Sequence, residues 1–168
     1  IATLLTVRGS YPDFMDSLRH SAFNVISMAS TTGFVSQDFE LWPAFAPAWM
    51  LFLSCVVCST GSTGGGVKMF RTLLLARQAV REMKLLVHPS AVMPIKIAGQ
   101  VIPDRIVYSV LAFIFLYFMT VVALTFTLLL SGLDLVTSFS AVLACINNAG
   151  PGMGSVGPLH NYHDLTDF

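Results

Sequence analysis

Ile106–Leu130 reads IVYSVLAFIFLYFMTVVALTFTLLL, and after three residues Asp134–Gly152 reads DLVTSFSAVLACINNAGPG. No charged residue occurs between Arg105 and Asp134. That gap exceeds the roughly 20 residues an α-helix needs to cross a bilayer. The apolar run Leu135–Ile146 is about 12 residues, a length that suits a re-entrant or core helix and not a span. It closes on Asn147-Asn148-Ala149-Gly150-Pro151-Gly152, polar and glycine-bearing. A full span, a half-length helix and a glycine loop, in that order, predict an all-α membrane protein with re-entrant helices.

The same order of features occurs earlier in the chain. Asp13 and Asp16 open a helix-like run that passes through Ala22–Ala29 and ends at Ser30-Thr31-Thr32-Gly33-Phe34. When Gly33 is laid on Gly150, Ser21 falls on Ser138, Val25 on Val142, Ile26 on Leu143 and Ser30-Thr31 on Asn147-Asn148. A second charge-free gap, Glu40 to Lys68, is apolar from about Trp42 to Cys58 and supplies a span after the first copy. The repeat unit is span, re-entrant helix, glycine loop, span, a construction common in transporters and channels. Three segments follow. Residues 1–66 hold the end of a span (Ile1–Val7), a re-entrant helix, its loop and the next span. Residues 67–104 form a loop with a basic helix and a short hairpin over Val92–Ile102. Residues 105–168 hold the span, helix and loop of the next repeat.

Composition agrees. The 168 residues are 55% hydrophobic and 11% charged, with a mean hydropathy of +0.74. A soluble domain carries about 25% charged residues. Basic and acidic residues balance at nine each, which leaves no bulk charge for nucleic acid. The three cysteines do not form a disulfide framework. The chain begins with Ile and shows no cleavable leader pattern, so it reads as an internal piece of a longer membrane protein. Seven of the nine basic residues (Lys68, Arg71, Arg77, Arg81, Lys84, Lys96 and Arg105) lie between the two spans, and seven acidic ones, Asp164 and Asp167 among them, lie elsewhere. The positive-inside rule puts the basic loop in the cytoplasm. Its helix can contact lipid phosphates or dock a cytoplasmic partner. Trp42 and Trp49 suit the outer interfacial belt.

Non-helical backbone inside a bilayer survives only where protein buries it or water lines it. The loops at 30–34 and 147–152 should therefore line a cavity. Their backbone carbonyls can replace the hydration shell of a cation. Helices that enter from outside end in mid-membrane, and their negative C-terminal ends favour a cation there. Glycine at 33 and 150 permits turns that a side chain hinders.

Between the span and the basic helix lies Ser59-Thr60-Gly61-Ser62-Thr63-Gly64-Gly65-Gly66. A phosphate-binding loop would place Lys directly after the last glycine of its motif and would follow a strand. Here Val67 precedes Lys68, and the preceding segment is an apolar helix. A glycine-rich break at the inner end of a span reads better as a gate under the carbonyl site, Gly61 to Gly66 forming its core, or as a plain helix end. Cys55 and Cys58 lie in an apolar run and read as small buried residues. His88 precedes Pro89 at a turn, and His160 and His163 fall in an outside loop. No set of catalytic side chains converges, so no enzyme is predicted.

Four motifs, Ser30–Phe34, Ser59–Lys68, the basic helix leading to His88-Pro89, and Asn147–Gly154, together resemble the membrane subunits of bacterial Trk/Ktr potassium uptake systems, closest to the TrkH kind. The resemblance covers essentially the whole chain. It implies a potassium-channel-like fold of span–pore helix–filter loop–span repeats in the bacterial inner membrane. It implies K+ as the transported ion, coordinated by filter carbonyls around Thr31, Thr32, Gly33, Asn148, Ala149 and Gly150, with no other cofactor. It implies an intramembrane gating loop at Gly61, Ser62, Thr63, Gly64, Gly65 and Gly66. It also implies a homodimer of the full-length subunit and a cytoplasmic, nucleotide-binding, TrkA-like ring that regulates it. The last filter carries Asn-Asn-Ala where the other carries Thr-Thr, so an asymmetric filter is expected. Two other classes compete. A secondary transporter with discontinuous helices would need an ionisable residue near mid-membrane, and the two spans contain none. A scaffold would have no use for glycine-rich backbone at that depth.

Overall fold

The computed structural model describes every residue except 98, 161 and 165–168; Asp167, counted above among the outside acidic residues, lies outside the described residues. In chain order the elements are α1 (Ala2–Val7), α2 (Phe14–Ala29), α3 (Phe45–Val56), α4 (Met69–Val87), β1 (Lys96–Ile97), β2 (Gln100–Val101), α5 (Asp104–Leu130) and α6 (Leu135–Asn147), with 3-10 turns at Phe39–Leu41, Gly154–Val156 and Tyr162–Asp164. The hairpin expected over 92–102 is the antiparallel pair β1–β2, with Lys96 opposite Val101 and Ile97 opposite Gln100.

α5 is the expected span, 27 residues long and apolar enough to cross a membrane. Asp104 and Arg105 open it, no further charge follows, and Pro103 at its N-cap is the last residue before it. Most of its large apolar side chains face outward, Phe115 and Phe126 at 62% and 65% exposure. A core helix of a soluble protein would bury them, so this face suits lipid or neighbouring helices.

The span expected over 42–58 takes a different form. α3 covers only Phe45–Val56, 12 residues, too short to cross a bilayer alone. The Ser/Thr/Gly run breaks the helix, and the chain resumes as α4. The first turn of α4 lies beside the inner half of α5: the Arg71 guanidinium sits 3.8 Å from the Phe113 ring centroid, a cation–π contact. Leu74 of α4 is buried with Val107 of α5 and with Ile95. α3 and α4 thus read as one broken helix. Trp42 also departs from the interfacial expectation. It is buried with Leu5, Met28, Phe39 and Met50, because Pro43 and α3 fold it under α1 and α2. Trp49, stacked between Phe45 and Phe52, stays 41% exposed.

Each half-length helix turns a face of small polar side chains inward. α2 buries Ser17, Ser21, Asn24 and Ser27, and α6 buries Thr137, Ser138, Ser140 and Asn147. Small polar side chains let helices approach closely without the loss of apolar packing that larger ones would force. α6 packs on α5 and α3, and α2 on α1 and α3. Ala149, from the loop after α6, is buried in the cluster formed by the first repeat. The two repeats therefore meet at their loops.

Candidate functional site

Both half-length helices end in the same way. Thr31 N–H donates to the Met28 carbonyl and Thr32 N–H to the Ser27 carbonyl, at 3.2 and 2.9 Å. At the equivalent positions Asn148 donates to Cys145 and Ala149 to Ala144, at 3.2 and 2.8 Å. These are Schellman-type ends, which require a left-handed residue. Thr31 and Asn148 supply it at φ +54° and +58°. Gly33 and Gly150 then turn left-handed again, at +80° and +90°. Asn tolerates this region, but a β-branched Thr does so at a cost of about 1–3 kcal/mol. The weak sequence repeat is thus a strong backbone repeat.

The turns touch each other. A Cβ on Gly33 would lie 2.7 Å from the Ala149 carbonyl oxygen and 3.6 Å from Pro151 Cδ, and one on Gly150 would lie 3.9 Å from Gly33 Cα. Gly33 is required twice, by φ and by this approach. Of the expected filter residues, the structure brings Gly33, Ala149 and Gly150 backbone to backbone; Thr31 and Asn148 sit just below them, and Thr32 is exposed. The Tyr162 hydroxyl donates to the Gly150 carbonyl at 2.7 Å. Burial pushes this hydroxyl up to about 12, so it keeps its proton and remains a donor.

Around the turns, caps hold the helices in place. The Asp134 carboxylate accepts from Thr137 N–H at 3.2 Å at the start of α6. Bonds from Thr137 hold the Asp134 carboxyl below the usual carboxylate range. The Glu40 carboxylate, from the first repeat, accepts from Gly154 N–H of the second. Asn24, wholly buried, accepts from Ser36 N–H at 3.1 Å and so ties the first loop to α2.

The glycine-rich run divides into two parts. Residues 59–63 are exposed, and a side chain on Gly61 would meet open space. The Lys68 ammonium, from a backbone at φ +49°, donates to the carbonyls of Thr60 and Ser62 at 3.3 and 3.0 Å and folds that part back. Gly64, Gly65 and Gly66 are pressed against the ends of the half-length helices. A Cβ on Gly64 would lie 2.9 Å from Thr31 Oγ1 and one on Gly66 2.8 Å from Asn147 Oδ1, and one on Gly65 would run into the Ile146 carbonyl oxygen. Gly65 N–H donates to the Asn147 carbonyl at 3.1 Å, and Val67 N–H to the Cys55 carbonyl at 2.7 Å. Asn148 Nδ2 reaches the Thr63 carbonyl at 3.4 Å. The predicted loop is thus seated directly beneath both turns. A cleft of about 590 Å³ opens below it, walled by Gly64, Gly66, Lys68, Arg71, Phe113 and Tyr117.

Four residues outside the expected filter and gate sets matter here: Asn147, Tyr117, Lys68 and Glu40. Asn147 and Tyr117 carried a usable signal, as polar groups within apolar helical runs. Cys55 and Cys58 are unpaired thiols beside the break. Among the described residues no group of three or more His, Cys, Asp or Glu side chains is placed to hold a metal ion.

Comparison with known proteins identifies the family. The cation transport protein family TrkH matches residues 9–163. The chain is 42% identical to the Trk system potassium uptake protein TrkH of Vibrio parahaemolyticus over 98% of its own length and 33% of the relative's. It is 38% identical to TrkH of Escherichia coli over 87% of its length and 30% of the relative's. The crystal structure of the potassium transporter TrkH from Vibrio parahaemolyticus superposes with a TM-score of 0.88 at 39% identity, covering 98% of this chain and 35% of that one. The chain therefore spans about a third of the length of the curated relatives it matches. These relatives are named as transport proteins and not as enzymes. The chain belongs to the TrkH family of cation transport proteins, and its all-α architecture is that family's membrane fold.

Proposed function

We propose that this chain supplies two of the pore loops of a subunit that conducts K+ across the bacterial inner membrane. The observation that carries the reading is the pair of matched left-handed turns at Thr31–Gly33 and Asn148–Gly150, held backbone to backbone at the ends of two half-length helices. The helix ends present negative dipole charge, and the turns present carbonyls that can stand in for ion hydration. The relatives named as potassium uptake proteins supply the ion. A carbonyl-lined pore also fits the absence of charge between Arg105 and Asp134, where a proton- or sodium-coupled transporter would place an ionisable group.

Below the filter, Gly61–Gly66 serves as the gate. Its seat against Thr31 and Asn147 supports this, as does the exposed 59–63 flap latched by Lys68. The first turns of α4 lie at membrane depth, and its remainder is cytoplasmic. The exposed basic side chains of α4, Arg77 and Lys84, face a regulatory TrkA-like ring and lipid phosphates, and the full-length subunit forms a homodimer. K+ is the cargo, with no further cofactor in this chain.

The test is flux through full-length protein reconstituted in liposomes. Gly33→Ser and Gly150→Ser force a side chain onto strained backbone at about 1–3 kcal/mol, and roughly 1.4 kcal/mol is tenfold in affinity. Each should weaken K+ uptake at limiting K+ and reduce discrimination against Na+. Unchanged affinity and selectivity for both variants, in inserted protein, would remove the carbonyl-ring reading.

A further inference from the structure

The residue that joins the glycine-rich loop to the last pore loop is Asn147. It is wholly buried and every polar atom of its side chain is engaged. Nδ2 donates to Cys55 Sγ at 3.1 Å and Ser54 Oγ at 3.4 Å, both on α3. Oδ1 accepts from the Tyr117 hydroxyl of α5 at 3.0 Å. Its main-chain carbonyl accepts from Gly65 N–H of the glycine-rich loop at 3.1 Å. The next peptide leads into the left-handed Asn148 and then Ala149 and Gly150. One residue thus ties α3, α5, α6, the break and the last turn.

The first repeat gives an internal control. The position equivalent to Asn147 is Ser30. Ser30 is exposed, and its hydroxyl is spent on its own helix, at 2.7 Å from the Ile26 carbonyl, and on Thr32 Oγ1. The two helix ends share their backbone geometry, so that geometry does not need Asn147. The side chain and its tie to Gly65 are additions of the second repeat.

We propose that Asn147 is a positioning residue that couples the gate to the filter: release of Gly65 frees the Asn147 carbonyl, and the peptides of Asn148–Gly150 reorient. This rests on the gate reading given above. Packed interiors switch between discrete arrangements and do not deform continuously, so loss of this tie should be felt at the turn. Coupling of this kind changes the linked property by roughly 2- to 30-fold.

The experiment measures K+/Na+ permeability ratio and basal K+ flux, per inserted protein, in full-length protein in liposomes. The variants are Asn147→Leu, Tyr117→Phe, Gly65→Ala, the Asn147→Leu/Gly65→Ala pair, and a deletion of Gly64–Gly66. Tyr117→Phe keeps the ring packing and removes only the hydroxyl, with its bond to Asn147 Oδ1 and its longer one to Cys55 Sγ, so it reports even where Asn147→Leu does not fold. The expected result is that Asn147→Leu and Tyr117→Phe move selectivity and basal flux together. Gly65→Ala, which drives a methyl into the Ile146 carbonyl, should reproduce Asn147→Leu, and the pair should be no worse than either. A purely structural role would lower the amount of inserted protein and leave both ratios alone. Movement of only one readout in both variants, or additive effects in the pair, overturns the coupling. If the deletion raises flux while the Asn147 and Tyr117 variants are silent, the coupling falls and the gate stands. If the deletion leaves flux at the parental level, gate and coupling fall together.

Discussion

Single residues set the turns and their caps. Asp134 illustrates how a small effect at an exposed position still orients the site. Its carboxylate caps α6 through Thr137, and replacing such a cap by Ala costs about 0.5–2 kcal/mol. Solvent screening at this exposed position argues for the lower end. Asp134→Ala should therefore lower the thermal midpoint of the purified protein slightly without altering ion preference. The pH dependence has a definite sign. The folded carboxyl titrates below its ordinary value, so its stabilisation is complete above the unfolded value. It is lost as pH falls through the lower, folded one. The parent should lose this increment on acidification below the ordinary carboxylate range, and Asp134→Ala should show no such step. An identical acid profile for the two would dismiss the cap. At this scale much was legible in the sequence. Gly33 and Gly150 announced left-handed turns because few other residues tolerate them. Thr31 at φ +54° was not legible, because the propensity of a β-branched residue opposes the left-handed position that the helix end requires.

Elements show where periodicity and composition stop. Leu135–Ile146 and Ile106–Leu130 declared their lengths through charge-free apolar runs, and α6 and α5 match them within a residue or two. Trp42–Cys58 looked like a span because composition cannot tell a short apolar helix from one half of a broken helix. The break itself was legible in its glycines; the shortness of α3 and the resumption as α4 were not, since they depend on what α5 and α6 offer as packing. Gly64–Gly66 had no side chain to report that it would be wedged under two helix ends. Deletion of Gly64–Gly66 in the full-length protein should raise basal flux and weaken regulatory control, and should shift K+/Na+ preference as Gly65→Ala does, because it removes the Gly65 bond to the Asn147 carbonyl. Abolished flux in folded, inserted protein would make the run a structural link between α3 and α4. A glycine break is otherwise well tolerated when neighbours satisfy its backbone, as Asn147 and Cys55 do here.

At the scale of the whole molecule, two pseudo-equivalent repeats meet at their loops, with the exposed apolar faces of α3 and α5 turned away. Such faces fit lipid and further helices of a longer subunit, in keeping with relatives about three times the length of this chain. Topology follows from the clustered basic residues of 68–105. Cysteines placed by Lys84→Cys and Lys96→Cys in full-length protein should resist an impermeant thiol reagent added outside intact cells and react once the membrane is opened. Labelling from outside would invert the orientation and put the glycine-rich loop on the outer side of the turns.

The central claim is that the turns at 31–33 and 148–150 together hold the permeating ion. Crystals of the full-length protein grown in Rb+, an anomalous scatterer of nearly the same chemistry as K+, test it most directly. The account predicts an anomalous peak between the two turns, within direct coordination distance of their backbone carbonyls, that disappears in Gly33→Ser. Ordered Rb+ elsewhere in the pore, with no peak between these turns in the parent protein, would contradict it.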